Sequence, residues 1–252
     1  MRLAAAVALL PWGAAAYAAE PSSLTLSLGL DYSTGDYGRE TKTNIWYLPI
    51  SIKYQKEKFA LALTVPYLRI EGPATGVSAG DSLIIAKGGV TTRSGLGDIV
   101  AAATYNLVPG YGSWPLIDLT LKMKLATADE TKGLGTGEND YAWQSDLAKA
   151  FGRLVVFGTV GRKYLGDPPG IEFNDIWYFS LGGGYKWDTN LTTGLIYDYR
   201  EASISGNAQP REAVAYFSKK IDDKRKILGY LVKGFTDGSP AWGIGGSISF
   251  AL

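Results

Sequence analysis

The 252-residue chain contains no histidine and no cysteine. Without histidine there is no Ser-His-Asp hydrolase, no His-ligated zinc and no imidazole general base. Without cysteine there are no disulfides, thiolate metal sites or thiol nucleophiles. Charge of one sign is also missing. The 25 Lys+Arg against 24 Asp+Glu leave a formal charge of +1, with no basic patch suited to nucleic acid. Beyond the N-terminus no run approaches the roughly 20 apolar residues of a membrane helix. Glycine (32), tyrosine (16) and tryptophan (7) are abundant instead, a composition that suits an all-β chain.

The N-terminus reads as a secretory leader. Arg2 precedes an apolar stretch from Leu3 to Ala16, and Ala16-Tyr17-Ala18 supplies the small-x-small cleavage pattern. Residues 1–18 are expected to be removed, which leaves 19–252 as one domain.

From Ser22 onward the chain alternates with period two. Leu24, Leu26, Leu28, Leu30 and Tyr32 share one face of a strand, opposite Thr25, Ser27, Gly29 and Asp31. The stretch Trp46–Tyr54 repeats the pattern, although Pro49 asks for an edge or a distorted position. The stretches Phe59–Tyr67 and Ile99–Leu107 follow. In Ile117–Leu125 the apolar face opposes Asp118, Thr120, Lys122 and Lys124. Seven further segments complete about twelve strands, of which 153–165, 211–221 and 226–236 alternate poorly.

Connections alternate in length. Short turns at 55–58, 149–152, 187–190 and 222–225 interleave with longer loops near 34–42, 71–92, 128–138, 166–174 and 203–210. A hydrocarbon layer offers the backbone no hydrogen bonds, so strands cross it only as a closed sheet. Parity-sorted loops and one apolar face per strand predict an all-β fold, a closed antiparallel transmembrane β-barrel of about twelve strands in the outer membrane. Tyr32, Trp46, Tyr54, Tyr67, Tyr105, Trp143, Trp177, Tyr185, Trp187 and Trp242 would form its interfacial girdles. A soluble periplasmic barrel with its apolar side inward is the competing fold. The C-terminal strand carries Trp242, Ile244, Ile248, Phe250 and Leu252 on one face, a pattern similar to the terminal signal by which barrel-assembly machinery takes up such chains.

Several segments also match one another's neighbours in a known family. They are SGLGDI at 94–99, the strand with Lys122 and Lys124, GLGTGENDY at 133–141, VGRKYLGD at 160–167 and KGFTDGSPAWGIG at 233–245. Together they resemble the outer-membrane proteins grouped as "MetA-pathway of phenol degradation". This chain has Ala126-Thr127-Ala128 where that family would carry Pro-Thr-Gly. The resemblance implies a barrel with a transport role. Enzymatic barrels of this kind use a catalytic histidine, which this chain lacks, so no enzyme activity is expected, and no cofactor.

The polar faces would line the lumen. The strand directions place Asp98, Lys124 and Asp140 near the outer rim on three neighbouring strands, with Lys122 and Gln144 deeper and Asp146 below. Lys122 and Lys124 are expected to pair with Asp98, Asp140 and Asp146. Asp118, and on another strand Asp198 and Arg200, belong to the same lining. Such a network acts either as a charge-selective constriction or as a structural ion-pair lining. The acidic stretch Asp129, Glu130, Glu138 and Asp140 offers oxygen ligands for Ca²⁺ or forms a solvated loop, and its spacing is not that of an EF-hand. The expected role is passive passage of small solutes by a monomer embedded in outer-membrane lipid. The alternative is a surface or structural barrel with a plugged lumen. The loop 71–92, which holds the apolar Leu83-Ile84-Ile85, decides between them by the direction in which it folds.

Overall fold

The computed structural model describes residues 22–73, 76–85 and 92–252. The expected leader over 1–18 lies outside the described residues. The wall begins with β1 (Ser23–Gly35), β2 (Thr43–Lys56) and β3 (Phe59–Glu71). A small hairpin follows, formed by β4 (Val77–Ala79) and β5 (Ser82–Ile84). Next come β6 (Thr92–Leu96), β7 (Ile99–Pro109), β8 (Leu116–Leu125), β9 (Asp140–Phe151) and β10 (Leu154–Tyr164). The chain ends with β11 (Ile176–Lys186), β12 (Leu191–Arg200), β13 (Arg211–Lys220), β14 (Arg225–Gly234) and β15 (Trp242–Ala251).

Each wall strand pairs antiparallel with its sequence neighbours. β6 and β7 both pair with β3, one after the other, and act as a single wall strand. β1 pairs with β15, from Thr25 opposite Ala251 to Thr34 opposite Trp242, and the sheet closes as a barrel of 12 strands. Closure leaves no edge for Pro49. It lies inside the wall directly opposite Pro66, and neither residue can donate to the ladder. The cost appears as distortion. The β1–β2 pairing is interrupted at Gly29–Leu30, and a Cβ on Gly29 would come within 2.8 Å of the Pro49 ring.

The alternation sorts side chains by environment. On β3, Phe59, Leu61, Leu63 and Tyr67 are exposed on the outside, whereas Leu68 and Ile70 face inward and are fully buried. The outer faces of β1, β2, β8, β12 and β15 likewise present Leu30, Ile50, Leu121, Leu195 and Ile244 to the surroundings. A continuous apolar belt of this size is unfavourable in water, at about 25 cal/mol per Å². Hydrocarbon is its natural solvent.

Aromatic residues bound the belt at both ends. On the long-loop side Tyr32 packs on Trp46 (4.6 Å) and Trp242 (5.5 Å), and Trp143 on Trp177 (5.6 Å). On the short-turn side Phe59 packs on Tyr105 and Tyr185 on Trp187, both at 4.9 Å. Among the described residues no helix is long and apolar enough to cross a membrane.

Candidate functional site

The loop after β3 folds into the barrel. Val77, Ala79 and Ile84 of its hairpin pack on Ile45 and Tyr47 of β2, Leu68 and Ile70 of β3, and Leu134 from the β8–β9 loop. Leu83 and Ile85 pack outward along the mouth against Phe173, Leu165, Ile171 and Ile204 of two other long loops. The apolar triplet Leu83-Ile84-Ile85 is therefore a buried anchor, worth about 1.5–3 kcal/mol per large side chain before ordering costs. The hairpin turns at Gly80, where φ is +60° and a Cβ would overlap the Tyr47 phenol. Only glycine fits there.

The tip of the hairpin delivers Asp81 to a cationic corner of the lumen. A small cavity there is lined by Asp81, Lys122, Lys124, Lys163, Arg200, Asp140 and Tyr178. The Lys163 ammonium donates to the Asp81 carbonyl oxygen. Burial pushes the Asp81 carboxyl up, and Lys122, with Lys163 and Arg200, pulls it back down.

Above this corner sits a buried ion cluster. Lys124 Nζ lies 3.4 Å from Asp98 and 3.2 Å from Asp140, and donates to Thr136 Oγ1 at 3.1 Å. Lys163 Nζ lies 2.9 Å from Asp140. Two ammonium groups and two carboxylates balance, as burial demands. Asp98 also accepts from the Thr127 and Ala128 backbone N–H groups, and Asp140 from that of Gly166. The cluster thus ties β8, β9 and β10 to the long loops. It explains one glycine of the β8–β9 loop. Gly133 and Gly137 have positive φ, but Gly135 does not, and its Cβ would instead press on the Asp98 carboxylate at 2.8 Å.

Deeper in the lumen the partners are neutral. Asp146 accepts from Gln144 Nε2 and Thr159 Oγ1, each at 2.6 Å, and the Tyr178 hydroxyl donates to Gln144 Oε1. These two neutral donors to Asp146 were not part of the expectation. Asn106 Nδ2 donates to Asp118 at 2.6 Å, and Asp118 stands opposite Asp146 in the β8–β9 ladder. At the β12 side of the same cavity Arg200 donates to Glu212 at 2.8 Å, beside Asp198, which is paired in register with Glu212. The expectation named Arg200 and Asp198 but not Glu212 or Lys163. Both omitted residues lie on segments whose alternation is weak.

Below Arg200 and Glu212, nearer the short turns, the inward face becomes apolar. Ile196 of β12, Val214 and Tyr216 of β13, and Leu228 and Tyr230 of β14 form a buried patch, with Phe157 of β10 and Val232 packed against it. Glycines make room for its rings. A Cβ on Gly182 would lie 2.5 Å from Phe157, and one on Gly194 would lie 2.6 Å from Tyr216. The lumen therefore holds a charged corner beneath the hairpin and an apolar patch nearer the short turns.

The acidic loop is spoken for by protein donors. Asp129 caps its own turn, accepting from Thr131 and Lys132, and the Thr131 hydroxyl holds its carboxyl below the ordinary range. Asp140 belongs to the lysine cluster. Among the described residues no group of three or more carboxylates is disposed to hold a metal ion.

No family model matches the sequence, and no curated protein is similar to it, so the phenol-pathway resemblance rests on its own residues. Solved structures are similar in shape. The KdgM porin in complex with disordered oligogalacturonate superposes with a TM-score of 0.55 at 11% identity, over 90% of this chain and 99% of that one. The NanC porin gives 0.56 at 7% identity, over 90% and 100%. The CymD monoaromatic hydrocarbon channel gives 0.51 at 12% identity, over 91% and 88%. The fold is that of the outer-membrane barrels. At these identities the likeness concerns the barrel architecture, and the lumen chemistry of this barrel has to be read from its own side chains.

Proposed function

We propose that this barrel is an outer-membrane channel for passive passage of small solutes, aromatic and other hydrophobic compounds among them. The observation that carries the proposal is an inward hairpin above an apolar patch in the lumen. Asp81 lies in the charged corner under the hairpin, and the Phe157–Tyr216–Tyr230 patch offers a greasy path from there towards the short turns. The family resemblance and the barrel architecture support the same reading, and a hydrocarbon channel is among the similar structures. Lys122, Lys124, Asp98, Asp118, Asp140, Gln144, Asp146, Asp198 and Arg200 are the lining residues of this proposal. The terminal strand from Trp242 to Leu252 is proposed as the assembly signal, and the protein as a monomer.

The second reading is a plugged barrel that acts through its outer surface. It is favoured by the fully compensated Lys124–Asp98–Asp140–Lys163 cluster. The deciding experiment uses the mature chain in liposomes and follows entry of labelled toluene and of a small sugar. Entry of toluene above protein-free liposomes, slowed by Tyr216→Glu in the apolar patch, supports passage. Rates equal to the empty liposome for both solutes favour the plugged barrel.

A further inference from the structure

The outer face of the barrel carries an unevenly neutralised set of cations. Among the described strand residues, four basic side chains project outward at the long-loop rim. Arg69 is paired with Glu71 at 2.7 Å and Arg162 with Asp175 at 3.6 Å. Arg211 of β13 and Lys233 of β14 are different. Both are exposed, and among the described residues neither has a carboxylate within ion-pair distance. Lys233 stands opposite Ala213 in the ladder, which sets it diagonal to Arg211 on the same face of adjacent strands.

The surroundings of this pair are specific. Tyr199 is opposite Arg211 on β12, and the Arg211 guanidinium lies 5.8 Å from the centre of its ring. Trp242 is opposite Lys233 on β15, and the Lys233 ammonium donates to the Ala241 carbonyl oxygen. The row Tyr199, Arg211, Lys233, Trp242 therefore lies in the aromatic girdle. Directly below it on the same four strands, Tyr197, Leu231 and Ile244 are exposed, with Leu195 further down. Two uncompensated cations sit at headgroup level above a wide apolar field.

We propose that Arg211 and Lys233 bind a phosphorylated lipid of the outer leaflet, its phosphate between the two cations and its acyl chains on the β12–β15 face. The inference rests on the membrane placement but not on passage of any solute. A guanidinium and an ammonium at neighbouring positions suit a phosphate, which takes charge-assisted hydrogen bonds from both. The girdle ring beneath Arg211 limits its rotamers and presents it outward. Basic residues at a headgroup surface are each attracted to anionic lipid, and two with no carboxylate competitor add. A free phosphate would satisfy the cations but make no use of the apolar field.

The test uses the mature barrel folded in neutral detergent and read by native mass spectrometry. The probes are diphosphorylated lipid A, the same lipid stripped of phosphate, and inorganic phosphate. The expected result is retention of the phosphorylated lipid alone. The double variant Arg211→Gln/Lys233→Gln should lose about tenfold or more in affinity, as the loss of two charge-assisted contacts predicts. Lys186→Gln/Lys219→Gln at the opposite rim serves as the control and should retain the lipid. A heat-dependent gel shift establishes that each variant is folded. Equal binding of the dephosphorylated lipid would overturn the proposal, as would undiminished binding by the folded double variant. Displacement of the lipid by millimolar inorganic phosphate would also overturn it, because it would reduce the site to a simple anion site.

Discussion

Lys124 shows how a single buried charge organises this barrel. Its ammonium is 2% exposed and shared between two carboxylates that are each 1% exposed. Removing it leaves Asp98 without its cation in a place water does not reach. Lys124→Ala is expected to destabilise the barrel by about 3–5 kcal/mol, the usual cost of orphaning a buried partner. Denaturant unfolding in detergent measures it, and a loss under about 1 kcal/mol would show that water replaces the ammonium. Gly194 makes the complementary point at the apolar patch. Gly194→Ala places a Cβ against the Tyr216 ring and the Gly183 carbonyl, and should cost about 1–3 kcal/mol in the same assay. The side of the wall on which Lys124 falls is legible from alternation alone, because β8 alternates cleanly. Its partners are less so. Asp98 and Asp140 follow from strand order, whereas Lys163 and Glu212 lie on strands where Gly158, Gly161, Ala213 and Ala215 blur the period. Gln144 and Thr159, which donate to Asp146, carry no charge, so a charge argument could not name them.

At the scale of elements the hairpin of β4 and β5 matters most. It is held by apolar packing on Tyr47 and its neighbours and by the Asp81 tip. Gly80→Val should unseat it through the clash with Tyr47 and the strained φ, and raise unit conductance in a planar bilayer while the gel shift of the barrel persists. Unchanged conductance would mean that the hairpin does not limit the path. The buried character of this loop is legible in Leu83-Ile84-Ile85. Its direction is not, because the surfaces that receive it, Ile45, Tyr47, Leu68 and Ile70, come from two strands whose inward apolar residues become a docking face only once the barrel has closed.

At the scale of the whole molecule, closure follows from elementary constraints. Every wall strand has one apolar face, no helix among the described residues can cross a bilayer, and unpaired strand edges are intolerable in hydrocarbon. These constraints made strand number, loop parity and the direction of the polar faces readable in advance. The division of the lumen into a charged corner and an apolar patch was not readable, because it depends on which inward positions from different strands share a level, and that is set by the stagger of the closed sheet. The central claim is that this barrel conducts past a seated hairpin. The most direct test records single-channel conductance for the native mature chain and for a chain in which residues 76–85 are replaced by a short Gly-Ser linker. The account predicts small steps for the native barrel and distinctly larger ones for the variant. Identical steps, or silence from both folded proteins, would contradict it.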